Sequence, residues 1–235
     1  MAVGSRSLTA YEFVRGKAWE VDPTAEHLSR THLVDRTGAV PSGREAHLLS
    51  YTGGMSSYAV RTYGDPVLRQ VAKPIDDVDG ALVKLVDDMV ETMYEAVGAG
   101  LAAPQVGVQR RLFVYELDDG PKAIINPEIV ESSGELYHDE ACLSIPGLRI
   151  GIIRPETVLL KGFDLDGNEL SIEADDFMGR MFQHEVDHLN GVLMVERLDD
   201  DMRKQALRIL RDRAMGLDTT AMEAKLVSAG NERPV

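Results

Sequence analysis

The sequence predicts an α+β domain in which one helix precedes a group of short strands and two helices follow them. Three observations predict this order. Apolar residues recur at three- and four-residue steps between Asp79 and Gly98, as on one face of a helix. Runs rich in β-branched and aromatic residues follow between Arg111 and Ala174, and helical periodicity returns from Phe177. Because the strands are grouped and do not alternate with helices, the pattern favours α+β over α/β.

The composition limits both the core and the partners of the protein. With 235 residues and 44% hydrophobic content, the chain can form one sizeable core. The formal charge of -14 argues against DNA binding, since phosphate contacts need clustered cations. No apolar run approaches the roughly 18 to 20 residues that cross a bilayer, and the first residues lack the apolar core of a secretory signal. We therefore expect a cytoplasmic protein without a membrane partner, with organelle import as the alternative.

The chain is expected to divide into three parts. Residues 1–60 show little periodicity and end in the small, polar "SYTGGMSSYAV", which predicts a loosely structured N-terminal extension. Residues 61–200 are expected to form the main folded domain, and residues 201–235 a C-terminal helix and tail. At the start of the main domain, "YGDPVLRQVAKPI" from Tyr63 predicts a turn and then an extended, proline-bounded segment.

The first helix is predicted after Asp79, whose side chain can cap its N-terminus. Its apolar face is expected to consist of Leu82, Val86, Met89, Met93 and Val97. We expect Gly98 and Gly100 to end this helix, because glycine accepts the left-handed backbone that follows many helices.

Four strands are predicted after this helix. Two come from "RLFVYEL", which begins at Arg111, and "AIINPEIV", which begins at Ala123. Asn126-Pro127 interrupts the second of these, as at a bend or a sheet edge. The run "ETVLLKGFDLDGNELSIEA" predicts two further strands joined at Asp166-Gly167, a dipeptide typical of β-hairpin turns.

Two helices are predicted near the end of the chain. The first covers residues 177–189, and its apolar face is expected to include Phe177, Met181 and Val186 or Leu189. The second begins near residues 199–201, with an apolar face of Met202, Ala206, Ile209 or Leu210, and Ala214. Acidic residues at its start and several arginines further along suit the helix dipole.

The stretch "FQHEVDHLNG", residues 182–191, indicates a metal site. On a helix, His184 and His188 lie on the same face, so both rings can bind one ion. Glu185 then lies about 100° around the helix, near the ion but not bound to it, where a carboxylate can move protons during hydrolysis. Cys142, the only cysteine, would complete the ligand set. A solvated helix with two surface histidines is the alternative.

Three segments resemble, in order, the signature motifs of the peptide deformylases: "GAGLAAPQVG" at 98–107, "EACLSIPG" at 140–147 and "QHEVDHLNG" at 183–191. The segments "GDPVLRQVAKPI" and "INPEI" are also similar to parts of that family. The resemblance covers residues 61–200, which would form the catalytic domain. It implies small antiparallel sheets packed around a central metal-binding helix. The implied activity is metal-dependent hydrolysis of the formyl group from the N-terminal formylmethionine of nascent polypeptides, with release of formate.

The resemblance also implies roles for individual residues. The implied metal ligands are Cys142, His184 and His188. Glu185 would be the general acid and base, while Gln105 and the backbone N–H of Leu143 would bind the formyl carbonyl oxygen. A fixed donor such as Gln105 stabilises charge that develops on that oxygen. The residues implied to lie at the substrate site are Gly98, Ala99, Gly100, Leu101, Glu140, Ala141 and Arg149.

Some of these positions carry more detailed expectations. Ala99 and Leu101 would help to line an apolar pocket for the methionine side chain. We predict an ion pair between Glu140 and Arg149 that holds the Cys142 loop, with a solvated pair as the alternative.

The chain departs from the family pattern in two places. The family usually has glycine where this chain has Ala141, and the added methyl group either crowds the substrate or is harmless if that position needs no positive φ. The long N-terminal extension is the second departure. Together they leave a specialised deformylase for another N-formyl substrate as one alternative function. A zinc peptidase that uses the same His-Glu-x-x-His is another.

The metal and one further partner are also predicted. Thiolate and imidazole ligands suit zinc by softness and geometry, whereas the resemblance implies Fe²⁺ as the metal in the cell. Zn²⁺, Ni²⁺ and Co²⁺ are the alternatives. The basic residues of the last predicted helix indicate either a contact with ribosomal RNA or a solvated charged face. These residues are Arg203, Lys204, Arg208, Arg211 and Arg213.

Overall fold

The computed structural model describes residues 57–117 and 119–231. The prediction for the N-terminal extension therefore lies almost entirely outside the described residues. The helices of the described chain are α1 Gly80–Glu95, α2 Asp176–Leu189, α3 Asp200–Ala214 and α4 Thr220–Asn231. Its strands are β1 Gly100–Ala102, β2 Leu112–Tyr115, β3 Lys122–Ser133, β4 Leu136–Cys142, β5 Ile145–Arg154, β6 Thr157–Phe163 and β7 Glu169–Ala174. Short 3-10 turns cover Pro66–Arg69, Ala103–Val106 and Met194–Arg197.

These strands form two antiparallel sheets. The larger sheet has five strands in the order β1-β2-β3-β6-β7, and the smaller one is the β4–β5 hairpin. The arrangement confirms the predicted α+β class with small antiparallel sheets. Within the described residues, no helix is long and apolar enough to span a membrane.

The helix α2 packs against the larger sheet. Its Phe182 ring lies 5.7 Å from the ring of Phe113 and 5.2 Å from that of Tyr115, both on β2. Aromatic pairs at these separations add attraction beyond the area they bury. The helix α2 therefore packs against the larger sheet, as expected for the central helix that the resemblance implies.

Two hydrophobic clusters contribute to the core of the described residues. One joins α1 to the larger sheet and includes Leu82, Met89, Met93, Leu101, Leu112 and Val114. The other joins the β4–β5 hairpin to the C-terminal helices and includes Cys142, Ile145, Leu148, Ile150, Met202, Ala206 and Leu226. The hairpin that carries Cys142 is therefore supported by the end of the chain.

The N-terminus of α1 is as predicted, but its C-terminus is not. The backbone N–H of Leu82 donates to Asp79 Oδ1 at 2.7 Å, which caps the helix. The helix ends at Glu95, and Val97, predicted on the apolar face, is 80% exposed with a φ of 56°. The N–H of Gly98 donates to the carbonyl of Met93 at 2.9 Å, a pattern that places the left-handed residue at 97. The helix therefore ends before the predicted glycines.

The segment after Tyr63 is also less extended than predicted. Pro66–Arg69 forms a 3-10 turn, in which the N–H of Val67 donates to Asp65 Oδ1 at 3.0 Å. Leu68 in this turn is fully buried. The fixed φ of proline suits the first position of a helical turn, and burial of Leu68 favours the turn over an extended chain.

The bend predicted at Asn126-Pro127 and the predicted hairpin turn are confirmed, while three strands, β1, β4 and β5, were not predicted. Asn126 has a φ of 51°, and the pairing of β3 with β6 shifts between Ile125 and Glu128, so the strand bends at Asn126-Pro127. The Asn126 side chain exchanges two hydrogen bonds with the backbone of Ile75, at 2.9 and 2.8 Å. The β6–β7 hairpin turns at Gly167, which has a φ of 79°.

The C-terminal region contains one more helix than the sequence predicts. The helix α3 starts where expected, with Asp199 Oδ1 accepting from the N–H groups of Asp201 and Met202. Ala214 is exposed, however, whereas Asp212 is buried beside Arg208 and Arg211. The second C-terminal helix, α4, packs on β5, a contact that its local sequence does not indicate.

Candidate metal centre and active site

Three possible metal ligands meet between α2 and the end of β4. The atoms Cys142 Sγ and His188 Nε2 lie 3.2 Å apart, and one donor atom each from Cys142, His184 and His188 lie within 4.8 Å of one another. The helix α2 supplies both histidines from one face, and the last residue of β4 supplies the sulfur. The structure therefore brings together all three ligands that the sequence predicts.

The ring of His184 is held in the orientation that metal binding needs. Its Nδ1 lies 3.0 Å from Glu140 Oε2, so Nε2 is the ring atom left for a cation. Metal-binding histidines commonly hold a carboxylate at their second nitrogen, which fixes the ring. One sulfur and two imidazole nitrogens suit zinc or ferrous iron and leave a fourth position open. The donor set fits a catalytic divalent metal ion.

The groups around the two histidines also shift the pKa values of their rings. Burial opposes the charged form of His184, but the Cys142 sulfur and Glu140 outweigh burial and raise the pKa of His184 well above its usual value. Burial and the charge of His184 hold the pKa of His188 well below its usual value. Cys142 and Glu140 therefore attract positive charge to this site.

Glu185 lies beside these ligands and is almost completely buried. Burial raises its pKa to about 7, and its Oε2 has no hydrogen-bond partner among the described residues. The backbone of Gly100 covers the other oxygen, because a Cβ at Gly100 would lie 2.7 Å from Glu185 Oε1. A carboxyl group with a pKa near neutrality can both accept and donate a proton.

Gln105 presents an amide donor to the same site. Its Oε1 accepts from the N–H of Ala102 at 2.8 Å, which assigns the other end of the amide as Nε2. That Nε2 lies 3.2 Å from Ser144 Oγ and 3.9 Å from Cys142 Sγ. The donor end of a buried and oriented amide therefore faces the metal ligands.

The loop from Gly98 to Leu101 lies against these groups. A Cβ at Gly98 would lie 2.8 Å from Leu143 Cδ1, so the loop passes beside the turn that follows Cys142. Ala99 is half-buried, whereas Leu101 is fully buried in the cluster beside α1. Their contribution to a methionine pocket stays a prediction.

The predicted ion pair between Glu140 and Arg149 is wrong. In the β4–β5 register, Glu140 lies opposite Ile150 and Arg149 lies opposite Ala141. Because side chains alternate along a strand, Glu140 and Arg149 point to opposite faces of the hairpin. Arg149 Nε instead lies 3.4 Å from Asp139 Oδ2, and the Arg149 side chain is half-exposed.

Glu140 is paired with Arg154, which the sequence did not single out. Arg154 Nη2 donates to Glu140 Oε2 at 3.0 Å, and Nε donates to Oε1. Burial would raise the pKa of Glu140, but His184 and Arg154 outweigh burial and lower it to about 2. Glu140 is therefore an anion that holds His184 on one side and Arg154 on the other.

The ion-pair network continues from Arg154 to the surface. Arg154 Nη1 donates to Asp187 Oδ2 at 2.8 Å, and Arg197 Nε donates to the same oxygen at 3.0 Å. Arg154 is 5% exposed. In the sequence, Arg154 and Asp187 could be noticed only as charged residues within otherwise apolar patterns. Arg154 ends the run "RIGIIR", and Asp187 lies on the inner face of α2. Neither pattern names the partner, because the pairs join distant parts of the chain.

Ala141 fits its position without strain. It lies in β4 with an exposed side chain, and it is not one of the residues with a positive φ. The methyl group therefore occupies ordinary strand geometry, which alanine adopts as readily as other residues. The backbone therefore does not require glycine at this position, and the effect of the methyl group on the substrate stays a prediction.

Comparison with known proteins agrees with this geometry. The family model for polypeptide deformylase matches residues 57–204. The chain is 45% identical over 150 residues to a peptide deformylase of Carboxydothermus hydrogenoformans, a match that covers 64% of this chain and 99% of that protein.

Two solved structures are similar to the chain as well. The peptide deformylase of Thermotoga maritima is 44% identical with a TM-score of 0.59, over 61% of this chain and 98% of that one. An Acinetobacter baumannii peptide deformylase with Met-Ala-Ser bound is 33% identical with a TM-score of 0.59, over 62% of this chain and all of that one. The chain belongs to the peptide deformylase family, hydrolases that remove the N-formyl group from nascent peptides.

Proposed function

We propose that Cys142, His184 and His188 bind one divalent metal ion and that Glu185 moves protons during hydrolysis of an N-formyl group. The observation that carries this proposal is the meeting of three metal-type donors with a buried carboxyl group whose pKa is about 7. When bound, a divalent cation at such a site activates water for attack on a carbonyl carbon. Glu185 accepts the proton of that water and later donates one to the departing amine.

Gln105 and Leu143 are proposed to bind the formyl oxygen. As water adds to the formyl carbon, negative charge grows on this oxygen, so fixed donors stabilise the transition state more than the substrate. Gln105 is supported in this role by the hydrogen bond that orients its amide. The N–H of Leu143 is supported by its position in the turn directly after Cys142.

The proposed substrates are peptides that begin with formylmethionine. A relative of known structure binds Met-Ala-Ser, which is the product expected from a formylated tripeptide. In this chain, the loop of Gly98 and Gly100 lies against both Leu143 and Glu185, so it is placed to line the substrate site. Ala141 and Arg149, neighbours across the β4–β5 hairpin, are proposed to form the opposite side.

Replacing Gln105 with alanine is expected to lower kcat by about 10² to 10³, the usual effect of losing one such donor. The metal content should be unchanged, because Gln105 is not a proposed ligand. Steady-state formate release and metal analysis of the same preparation measure both quantities.

Gln205→Ala, on the exposed side of α3, serves as the control and should keep the parent rate. A Gln105→Ala protein that retains its kcat but loses its metal would show that Gln105 supports the metal centre and does not bind the formyl oxygen.

We also propose that the metal in the cell is Fe²⁺, with Zn²⁺, Ni²⁺ and Co²⁺ as ions that the same ligands accept. Protein loaded with Fe²⁺ without oxygen is expected to release formate several-fold faster than protein loaded with Zn²⁺. Equal or faster turnover by the zinc form, at matched metal content, would contradict this choice.

The remaining proposals concern the domain organisation and partners of the chain. We propose that residues 61–200 form the catalytic domain, that residues 1–60 are an extension outside it, and that residues 201–235 form the C-terminal part. A cytoplasmic location is supported by the single cysteine, since proteins kept in reducing compartments rarely need disulfides.

Ribosome contact through α3 stays a prediction. The five basic residues of this helix lie within 4 Å of acidic groups, with distances from 2.8 to 3.7 Å; the pairs are Arg203–Glu196, Lys204–Asp201, Arg208–Asp212, Arg211–Asp212 and Arg213–Glu223. Paired cations leave little surplus charge for phosphate groups. For the four exposed residues, all but Arg213, this geometry favours the solvated charged face. Salt-sensitive co-sedimentation with ribosomes is the measurement that separates the two interpretations.

A further inference from the structure

Arg213, in the last turn of α3, donates to the strand that follows the metal-binding cysteine. Its Nη1 donates to the carbonyl of Pro146 at 2.6 Å, and its Nη2 donates to that of Gly147 at 3.0 Å. These two residues lie at the start of β5, and Cys142 pairs with Ile145 directly before them. Arg213 therefore binds the backbone beside the turn that carries Cys142.

The helix α4 holds the same guanidinium group from the other side. Arg213 Nε donates to Glu223 Oε1 at 2.9 Å and to Thr219 Oγ1 at 3.3 Å, and Thr219 also donates to Glu223. The Arg213 side chain is only 25% exposed. Arginine can bind several oxygens at once because its donors lie in a rigid plane, so Arg213 joins α4 to β5.

Packing supports the same connection. Leu226 of α4 is fully buried, in the hydrophobic cluster that also contains Cys142 and Ile145. Removing this helix would open that cluster next to the cysteine. Arg213 and α4 lie beyond the family match, which ends at residue 204, whereas the strand that they contact lies within it.

We propose that Arg213 is a positioning residue that, together with α4, holds the turn of Cys142 and Leu143 in the geometry that catalysis requires. The inference rests on the proposed roles of Cys142 as a ligand and of the Leu143 N–H as a donor. Arg213 acts through the backbone of β5 and contacts neither the ligands nor the proposed substrate site. A misplacement of about 1 Å costs up to about 100-fold in rate, so loss of this contact should reduce activity without removing any catalytic group.

The test compares Arg213→Met, Arg213→Lys and Arg208→Met with the parent protein, all as full chains loaded with Co²⁺. Arg213→Met is expected to lower kcat/KM by about 10- to 100-fold, mainly through kcat, and to change the absorption bands of cobalt bound to the Cys142 sulfur. Arg213→Lys keeps a positive charge beside Glu223 but has no planar fork. Arg213→Lys should be more thermally stable than Arg213→Met, but its rate and its cobalt spectrum should still differ from those of the parent. Arg208→Met, on the exposed side of the same helix, should match the parent.

The outcomes separate this inference from the proposed function. If the cobalt-loaded parent releases no formate, the proposed function fails, whereas the cobalt spectra still report whether Arg213 shapes the metal site. If Arg213→Met has the rate and spectrum of the parent, or loses only thermal stability while the folded protein keeps both, the positioning role is overturned. Should Arg213→Met fail to fold, Glu223→Gln gives the same comparison, with a smaller loss of kcat and a smaller spectral change expected.

Discussion

Replacing Glu185 with glutamine is expected to lower kcat by about 10³, within the range of 10² to 10⁴ for loss of a general acid and base. Glutamine keeps the volume of the side chain but cannot accept or release the proton. The reason for a large effect is structural, because Glu185 is almost completely buried and its Oε2 has no hydrogen-bond partner among the described residues. Among the described residues, we propose no other carboxyl group as the carrier of this proton.

The measurement is formate release under single-turnover and steady-state conditions, with metal content determined on the same samples. The metal content of Glu185→Gln should equal that of the parent, since the carboxylate is not a ligand. Glu173→Gln, an exposed residue of β7, is the matched control and should keep the parent rate. A Glu185→Gln protein with more than one tenth of the parent kcat would remove Glu185 from the proposed mechanism.

Replacing Arg154 with methionine is expected to lower the free energy of unfolding by about 3 to 5 kcal/mol, the usual effect of removing one partner from a buried ion pair. Arg154 is 5% exposed and contacts the buried carboxylates of Glu140 and Asp187. Methionine leaves both without this cation. Because Glu140 also orients His184, we expect metal affinity to fall by about 10- to 100-fold, as for other groups that hold a metal ligand.

Urea unfolding of metal-free and metal-loaded protein, and competition with a chelator, measure these two effects. Arg149→Met is the control for stability, because Arg149 lies on the same strand but is half-exposed and pairs with Asp139. Its loss should change the free energy of unfolding by less than about 1 kcal/mol. An Arg154→Met protein as stable as Arg149→Met, with the metal affinity of the parent, would show that the network does not support His184.

The parts of the fold that the sequence predicted correctly depend on local signals. Asp79 caps α1, and Asp166-Gly167 turns the β6–β7 hairpin, because each acts on residues close to it in the chain. The errors arise where distant packing decides. Val97 lies in a left-handed conformation that valine disfavours, and α4 forms against β5 although its own apolar pattern is weak.

The same distinction holds for the site. The spacing of His184 and His188 predicted one pair of metal ligands, because helix geometry places both rings on one face. Cys142 was assigned as the third ligand through the resemblance to the peptide deformylases, since it comes from a strand distant in the sequence. The partner of Glu140 was predicted wrongly, since it depends on the register of β4 against β5. A shift of one residue in that register reverses the face of every side chain, and the sequence of neither strand determines the register.

The central claim is that this metal centre removes a formyl group from a peptide that begins with methionine. The most direct measurement is formate release from formyl-Met-Ala-Ser by protein purified without oxygen and loaded with a known amount of Fe²⁺, beside unformylated Met-Ala-Ser. We predict formate and free Met-Ala-Ser in equal amounts, with no cleavage of the unformylated peptide. Metal-loaded protein that releases no formate, or that instead cleaves the Met–Ala bond, would contradict the account.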